Sequence, residues 1–459
     1  MRSYKKLSLL LIGVLMITSG FACKNSTGGC SITKPPEARP VTLQYWGVWD
    51  SQAQIGPLIQ AYQATHPTIK VQYRQLRYEE YENELLEAWA DDRGPDIFAI
   101  PASWLKEYES RLKPMPASVK IPVQEVKGSI KKEVVTSLQE VKGYSSDDIK
   151  SRFVDVVYNN VVRDGKIYGL PYSLDTMVTF YNSKLLSAAG IAEPMKDFSE
   201  LIEQTPKLTK VGQDNEIYQA AVAMGGADNI PGFLGIISNL LLQTNVNIKG
   251  NSFLPLRDDT SASNLARDLG FYTDFMRVGL SSYSWSNSLP NAFDMFAEGK
   301  LAYFFGYSYH ADALRQKGTP FEWRITNFPQ TPGSQGTKYY SDYWVNVVPA
   351  KSKNSDAAWN FIQSTASADL VKTYLKNTKK PTALRSLIKE QTADPELAVF
   401  ASQVLTADNW YNGYDYNKAE QYFADFINDI NSGKIDLNKT TDLRALVDRI
   451  NQTYQSKND

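Results

Sequence analysis

DGKIYGLPYSLDTMVTFYN, residues 164–182, is the stretch on which the fold turns. Asp164-Gly165 marks a turn, and Ile167, Tyr168 and Leu170 follow as a short apolar run that Pro171 closes. A second strand-like run extends from Met177 to Tyr181. It ends at Asn182-Ser183, just before a helical SKLLSAAG. Proline has no N–H to give to a sheet ladder, so a proline between two extended runs marks a place where the chain changes sheets. The stretch therefore reads as a crossing between two bodies.

On its N-terminal side the pattern is regular. Residues 41–46 alternate as a strand, 47–51 form a loop, and 55–66 carry apolar residues at helical spacing. Residues 69–73 read as a second strand, 78–90 as an amphipathic helix, and 97–100 as a third strand after the Gly94-Pro95-Asp96 turn. Alternating strands and helices imply an α/β body with a parallel sheet. Ligands of such sheets gather at the carboxyl ends of the strands, which places loops 47–51 and 101–104 at a candidate site. Residues 116–160 read as a charged, solvated elaboration of the first body, with a weak helix.

On the C-terminal side, 184–288 read as mainly helical. A short helix over 291–299 and an apolar strand over 300–305 follow. Residues 340–349, YSDYWVNVVP, form a strand that ends in Pro349 and a second candidate crossing. Helices are expected at 356–364 and 367–375 on the first body. The chain returns over 381–393, and terminal helices are expected at 417–430 and 442–454.

Composition narrows the function. The 459 residues suffice for two or three domains, and 42% hydrophobic content is ample for packed cores. Forty-nine Lys and Arg against 50 Asp and Glu leave a formal charge of -1, without the basic excess that nucleic-acid binding asks for. With 2 His and 2 Cys, a histidine triad, a His-rich metal site or a thiol nucleophile is hard to assemble. No phosphate loop ends in Gly-Lys-Ser/Thr. The half-match to a calcium loop at Asp408 fails, because Trp410 and Ala419 stand where ligands are required.

Arg2, Lys5 and Lys6 precede an apolar stretch over 7–18, followed by Ser19, Gly20 and Ala22 before Cys23. This is the pattern of a signal peptide over 1–22, with Cys23 as the lipidated first mature residue. Cys30, after Gly28-Gly29, is a weaker second position. Residues 23–40, polar and rich in Gly, Pro and Ser, suit a flexible tether.

Several segments in order resemble extracellular solute-binding proteins of bacterial importers, in the sugar-type family that includes maltose-binding protein. They are the crossing at 164–182, PDIFAIPASWL at 95–105, FAEGK-LAYFFGYS at 296–308, PTALRSLI at 381–388 and LTADNWYNG at 405–413. The resemblance implies a two-lobed periplasmic-binding-protein fold with discontinuous lobes joined by a multi-stranded hinge. The expected first lobe is 41–171 with 341–393, and the second is 172–340 with 394–459. It also implies a binding protein, not an enzyme, that closes over a small solute. A mono- or oligosaccharide ranks first, and the partner is an ABC-type permease. The chain is expected to be monomeric, lipid-anchored outside the cytoplasm, and to need no cofactor or metal. A peptide or other organic solute, a carboxylate-based glycoside-acting enzyme and an adhesion lipoprotein rank behind.

The resemblance also points to site residues. Trp46 and Asp50 fall where relatives carry an aromatic and an acidic residue after the first strand, with Trp49 between them. Asp175 falls on a ligand-contacting carboxylate, Tyr307 replaces a sugar-stacking Trp, and Trp410 falls on another. Tyr411 beside it, Trp104, Trp285 and Trp344 complete the candidates. The residues themselves leave alternatives open. Trp46 lies within the strand alternation and suits the core, whereas Trp49 in a loop suits contact. Asp50 serves equally as the N-cap of the next helix. Asp175 is either a ligand acceptor or a paired structural carboxylate.

Overall fold

A computed structural model describes residues 39–128, 131–334 and 336–456. The signal segment, Cys23, Cys30 and nearly all of the tether lie outside the described residues.

The first sheet orders its strands Trp344–Val347, Ile97–Pro101, Val41–Gly47, Ile69–Gln75. The last three are mutually parallel, and Trp344–Val347 runs antiparallel to Ile97–Pro101. Helices Gln52–Thr65 and Tyr78–Ala90 link the parallel strands, as the alternation predicts. Leu43 and Tyr45 are buried, and the Tyr45 hydroxyl donates to Asn346 Oδ1 at 2.6 Å, tying the late strand to the first.

The second sheet orders Lys210–Val211, Ile217–Val222, Leu301–Gly306, Val178–Asn182, Trp323–Asn327. Ile217–Val222 falls in a region whose sequence reads as mainly helical. With Tyr218 exposed and Ala220, Ala221 and Val222 buried in succession, this strand has no period-2 signature to distinguish it from helix. Residues 116–160 also depart from expectation. Ser118–Lys127 and Glu133–Lys142 pair antiparallel as a ten-residue hairpin, followed by helices Ser146–Arg152 and Asp155–Val161. Val119 and Ile121 are buried at the hairpin base, whereas Gln124 to Lys127 are exposed, so most of the ribbon lacks an alternating apolar face.

Two hydrophobic cores account for the body. One gathers side chains from Leu43 to Leu174, then Tyr343 to Ile388; the other runs from Met177 to Tyr340 and resumes at Phe400. The chain changes cores between Leu174 and Met177, and again between Tyr340 and Tyr343. Those crossings pair with each other: Asp175–Thr176 lies antiparallel to Tyr339–Asp342, with Ser341 opposite Thr176 and Asp342 opposite Asp175. Ala407–Asp408 completes this three-stranded hinge sheet. The crossing thus comes later than Pro171. Leu170 still bridges to Asn346, and the Tyr172 hydroxyl lies 2.8 Å from Thr365 Oγ1 in the first core. The 340–349 segment is likewise two strands in two sheets, broken at Tyr343.

Candidate functional site

The carboxyl ends of the first-lobe strands carry an aromatic wall. Trp49, in the loop after Val41–Gly47, is 59% exposed and stacks on Tyr78 with ring centroids 5.5 Å apart and 24° between planes. Tyr78 opens the helix that follows Ile69–Gln75 and is 39% exposed. Trp344, first residue of its strand, stands edge-on to Trp49 at 6.0 Å and near Tyr78 at 6.2 Å. Buried Tyr81 backs Trp344 and anchors its own hydroxyl on Ala99 O at 2.7 Å. Exposing this much contiguous aromatic surface is costly in water unless something covers it.

The second lobe presents an aromatic and acidic wall. Tyr307 and Tyr309 stack at 6.0 Å and 19°, on either side of Ser308, where Leu301–Gly306 gives way to helix Ser308–Lys317. Tyr307 is buried and Tyr309 is 57% exposed. Tyr307 fits against helix Phe233–Gln243 because residue 235 is glycine. A Cβ there would come within 2.7 Å of the Tyr307 hydroxyl. Asp175 Oδ2 accepts from the Ser308 N–H at 2.9 Å and its hydroxyl at 2.5 Å, and Oδ1 accepts from Thr176 N–H at 3.0 Å. Both of its oxygens are thereby engaged, one of them at the start of helix Ser308–Lys317.

Asp342 lies directly across the hinge sheet from Asp175. Its side chain reaches water and has no hydrogen-bond or ion-pair partner among the described residues. Glu420, one turn into helix Tyr416–Asn431, is in the same position, and the Tyr416 and Tyr340 hydroxyls lie 3.3 Å apart beside it. The surrounding protein displaces enough water to push Asp342 up to about 6. Burial, assisted by Asp342, pushes Asp175 up to about 7 despite its hydrogen bonds, and raises Glu420 as well. The Tyr78 hydroxyl on the opposite wall is raised by burial and then by Glu420 and Asp342. The two walls therefore face each other across a cleft, with the hinge sheet at its base.

The expected site residues separate into two groups. Trp49, Trp344, Asp175 and Tyr307 belong to the walls. Trp104, Trp285, Trp410 and Tyr411 do not present a ring to solvent. Trp285 is fully buried, and its indole N–H donates to Asn229 Oδ1 at 2.8 Å. Trp410 donates to Ser238 Oγ at 2.9 Å and packs on Phe253 and Phe423. Tyr411 is enclosed by Trp410, Tyr416 and Tyr454, and Trp104 stacks on Tyr108 in the first core. Each indole or ring found interior partners that sequence does not display. Asp50 is not the helix N-cap either, since Ser51 holds that position. Instead it pairs with Lys380 Nζ at 2.6 Å and accepts from the Tyr374 hydroxyl at 2.8 Å, pinning the Trp49 loop to a distant segment.

Tyr78, Tyr309, Asp342 and Glu420 escaped the sequence reading. Only Asp342 left a trace, as the acid between Tyr340 and Trp344 in a crossing strand. Among the described residues no group of three or more His, Cys, Asp or Glu is placed to hold a metal ion. His310 is buried among Phe304 and Phe293, accepts from Tyr307 N–H, and is pushed down to about 3 by burial, hence neutral.

The profile of the family described as bacterial extracellular solute-binding protein matches residues 48–372, well over half the chain. The chain belongs to that family. The match takes in both walls of the cleft except the Glu420 helix. A galactooligosaccharide-binding protein of Bacillus subtilis (strain 168) is 22% identical over 396 residues, 85% of this chain and 83% of that protein. A binding protein of Brucella abortus (strain 2308) is 23% identical over 226 residues, 49% of this chain; the chain spans about half, 52%, of that relative's length. A cyclo/maltodextrin-binding protein complexed with maltotetraose superposes with a TM-score of 0.70 at 15% identity, over 92% of this chain and 100% of that one. That superposition shows the two-lobed binding-protein fold. Among the described residues, no helix of this solute-binding protein is long and apolar enough to cross a membrane.

Proposed function

We propose that this solute-binding protein captures a mono- or oligosaccharide between its lobes and passes it to the permease of an ABC-type importer. The observation that carries the reading is the Trp49–Tyr78–Trp344 wall facing Asp175, Asp342 and Glu420. A sugar offers C–H faces for ring stacking and hydroxyls for carboxylate acceptors, and the cleft supplies both on opposite sides. The names of the galactooligosaccharide-binding and maltodextrin-binding proteins agree with that chemistry. Closure follows because a ligand touching both walls binds the closed form better and shifts the population toward it.

In this reading the first lobe comprises 41–174 with 343–393, and the second 177–340 with 394–459, joined through 175–176 and 341–342 in the hinge sheet. Cys23 carries the lipid and residues 23–40 are the tether. The protein acts as a monomer, without cofactor or catalysis. A thermal-shift screen of the chain from Ser31 onward, against sugars, peptides, polyamines and anions, tests it. Ligand at a hundred times its Kd stabilises the folded state by ~2.7 kcal/mol. A saccharide that shifts the melt and is recovered intact supports the proposal. A shift with peptides alone, or turnover of the sugar, overturns it.

A further inference from the structure

The hairpin of Ser118–Lys127 and Glu133–Lys142 belongs to neither wall of the cleft, and its two faces are unlike. Val119 and Ile121, on one face, enter the first core. On the other face Val126 and Val134 pair with each other and are 64% and 61% exposed, and Leu138 farther back is open as well. Beyond the last rung, where Lys127 lies opposite Glu133, come the exposed Lys131 and Lys132. Lys127 Nζ lies 3.5 Å from Glu125. Cations therefore lead at the far end, and the acids Glu125 and Glu133 stand behind them. Bare valines beside lysines at the end of a ribbon suit the boundary between lipid headgroups and tails, where apolar stems sink and ammonium groups stay at the phosphates.

The base of the hairpin fixes where this end stands relative to the tether. Thr68 Oγ1 donates to Pro122 O, and Thr68 O accepts from the Val41 N–H at 2.8 Å. One residue thus joins the hairpin base to the point where the tether enters the first strand. The Lys120 N–H donates to Asp356 Oδ2 at 2.9 Å, and Lys142 O accepts from Gln363 Nε2 at 3.2 Å, so the body closes both edges of the ribbon at its base. The far end is left open. A flexible chain the length of residues 23–40 spans roughly 20–25 Å on average, and the strand from Ile121 to Lys127 extends about 20 Å. A lipid on Cys23 thus holds the membrane at a distance that the hairpin end can reach.

Resting on the reading of Cys23 as the lipid anchor, we propose that the end of this hairpin is a second membrane contact, made with the anionic lipid surface that holds the anchor. Val126 and Val134 enter the headgroup layer, and Lys131 and Lys132 lie against lipid phosphates. Little intrinsic affinity is needed. Each lysine is worth roughly fivefold in partitioning onto an anionic surface, and a short tether raises the effective concentration of the hairpin end to roughly millimolar. The contact steadies the first lobe and leaves the second free to close over the solute.

Lysine acetylation read by mass spectrometry on the lipidated full chain tests this, in phosphatidylcholine vesicles with and without phosphatidylglycerol. Lys131 and Lys132 are expected to react at least about threefold more slowly on the anionic vesicles, while the exposed Lys439 of the second lobe reacts alike on both. Val126→Asp combined with Val134→Asp should abolish that protection and leave the melting temperature and sugar affinity of wild type. Equal reactivity on both vesicles, or protection that the double variant keeps, overturns the proposal. Protection in native membranes but not on pure lipid points to a protein partner and overturns it too. The mass of the Cys23 peptide reads the anchor separately. If Cys23 is unmodified the anchor reading falls, and the chain held by an N-terminal histidine tag on nickel-chelating anionic vesicles decides the hairpin alone: protection there upholds the contact, and its absence overturns it.

Discussion

Replacing Trp49 with alanine separates binding from folding. A tryptophan side chain presents roughly 250 Å² in full. At 59% exposure about 150 Å² of it is open to water, and a sugar lying on one face covers about half of that. At about 25 cal/mol per Å² the lost contact is ~2 kcal/mol, or roughly thirtyfold in Kd. Folding stability should change little, because the ring makes one stacked contact with Tyr78 and one edge contact with Trp344 at the surface. The assay is titration of the variant with whichever sugar stabilises the wild type, alongside urea unfolding of both without ligand. A Kd within twofold of wild type would refute the placement of the aromatic wall. A large loss of stability would mean that Trp49 is a packing residue and that the cleft lies elsewhere.

Three further outcomes test other parts of the argument. Trp410→Ala and Trp285→Ala should each cost about 3–5 kcal/mol in urea unfolding, the range for emptying a buried aromatic site, because both rings are enclosed and hydrogen-bonded in the second core. A change confined to ligand affinity would show that they are wall residues after all. Lys380→Met should destabilise by about 1–3 kcal/mol through the stranded Asp50 carboxylate, and Asp50→Asn in the same chain should recover part of it. Additive losses in the pair would show that the two do not interact. Asp342, facing Asp175, Glu420 and the hydroxyls of Tyr307, Tyr309, Tyr340, Tyr416 and Tyr78, has a carboxyl raised to about 6 in the fold. An acid raised on folding favours the native state below its unfolded value near 4 and loses that contribution as pH climbs through about 6. Asp342→Asn should therefore melt above wild type at pH 8 and match it at pH 4; the reverse order in melting scans would contradict the raised carboxyl.

Much of the fold was legible in local pattern. The alternation over 41–100 defines the parallel strands because period-2 and period-3.6 burial differ over short windows, and Val41–Gly47, Ile69–Gln75 and Ile97–Pro101 follow from it. The existence of crossings within 164–182 and 340–349 was equally local, but their places were not: the chain changes cores at 174–177 and 340–343 rather than at Pro171 or Pro349. The exposed Trp49 was readable from its loop. Position within the tertiary structure decided the rest. Ile217–Val222 is a strand only because Leu301–Gly306 lies beside it. The hairpin at 118–142 is seated in the core only at Val119 and Ile121 and is held beyond them by its own cross-strand ladder. Trp285, Trp410 and Tyr411 look like Trp49 in sequence, yet they are core because Asn229, Ser238 and Thr453 happen to meet them. Asp342 and Glu420, 78 apart in sequence, come within electrostatic reach of one another and of Tyr78 only in the fold. Burial and charge pairing are sums over neighbours distant along the chain, so composition and spacing name the available chemistry while the packing of the lobes decides where it is used.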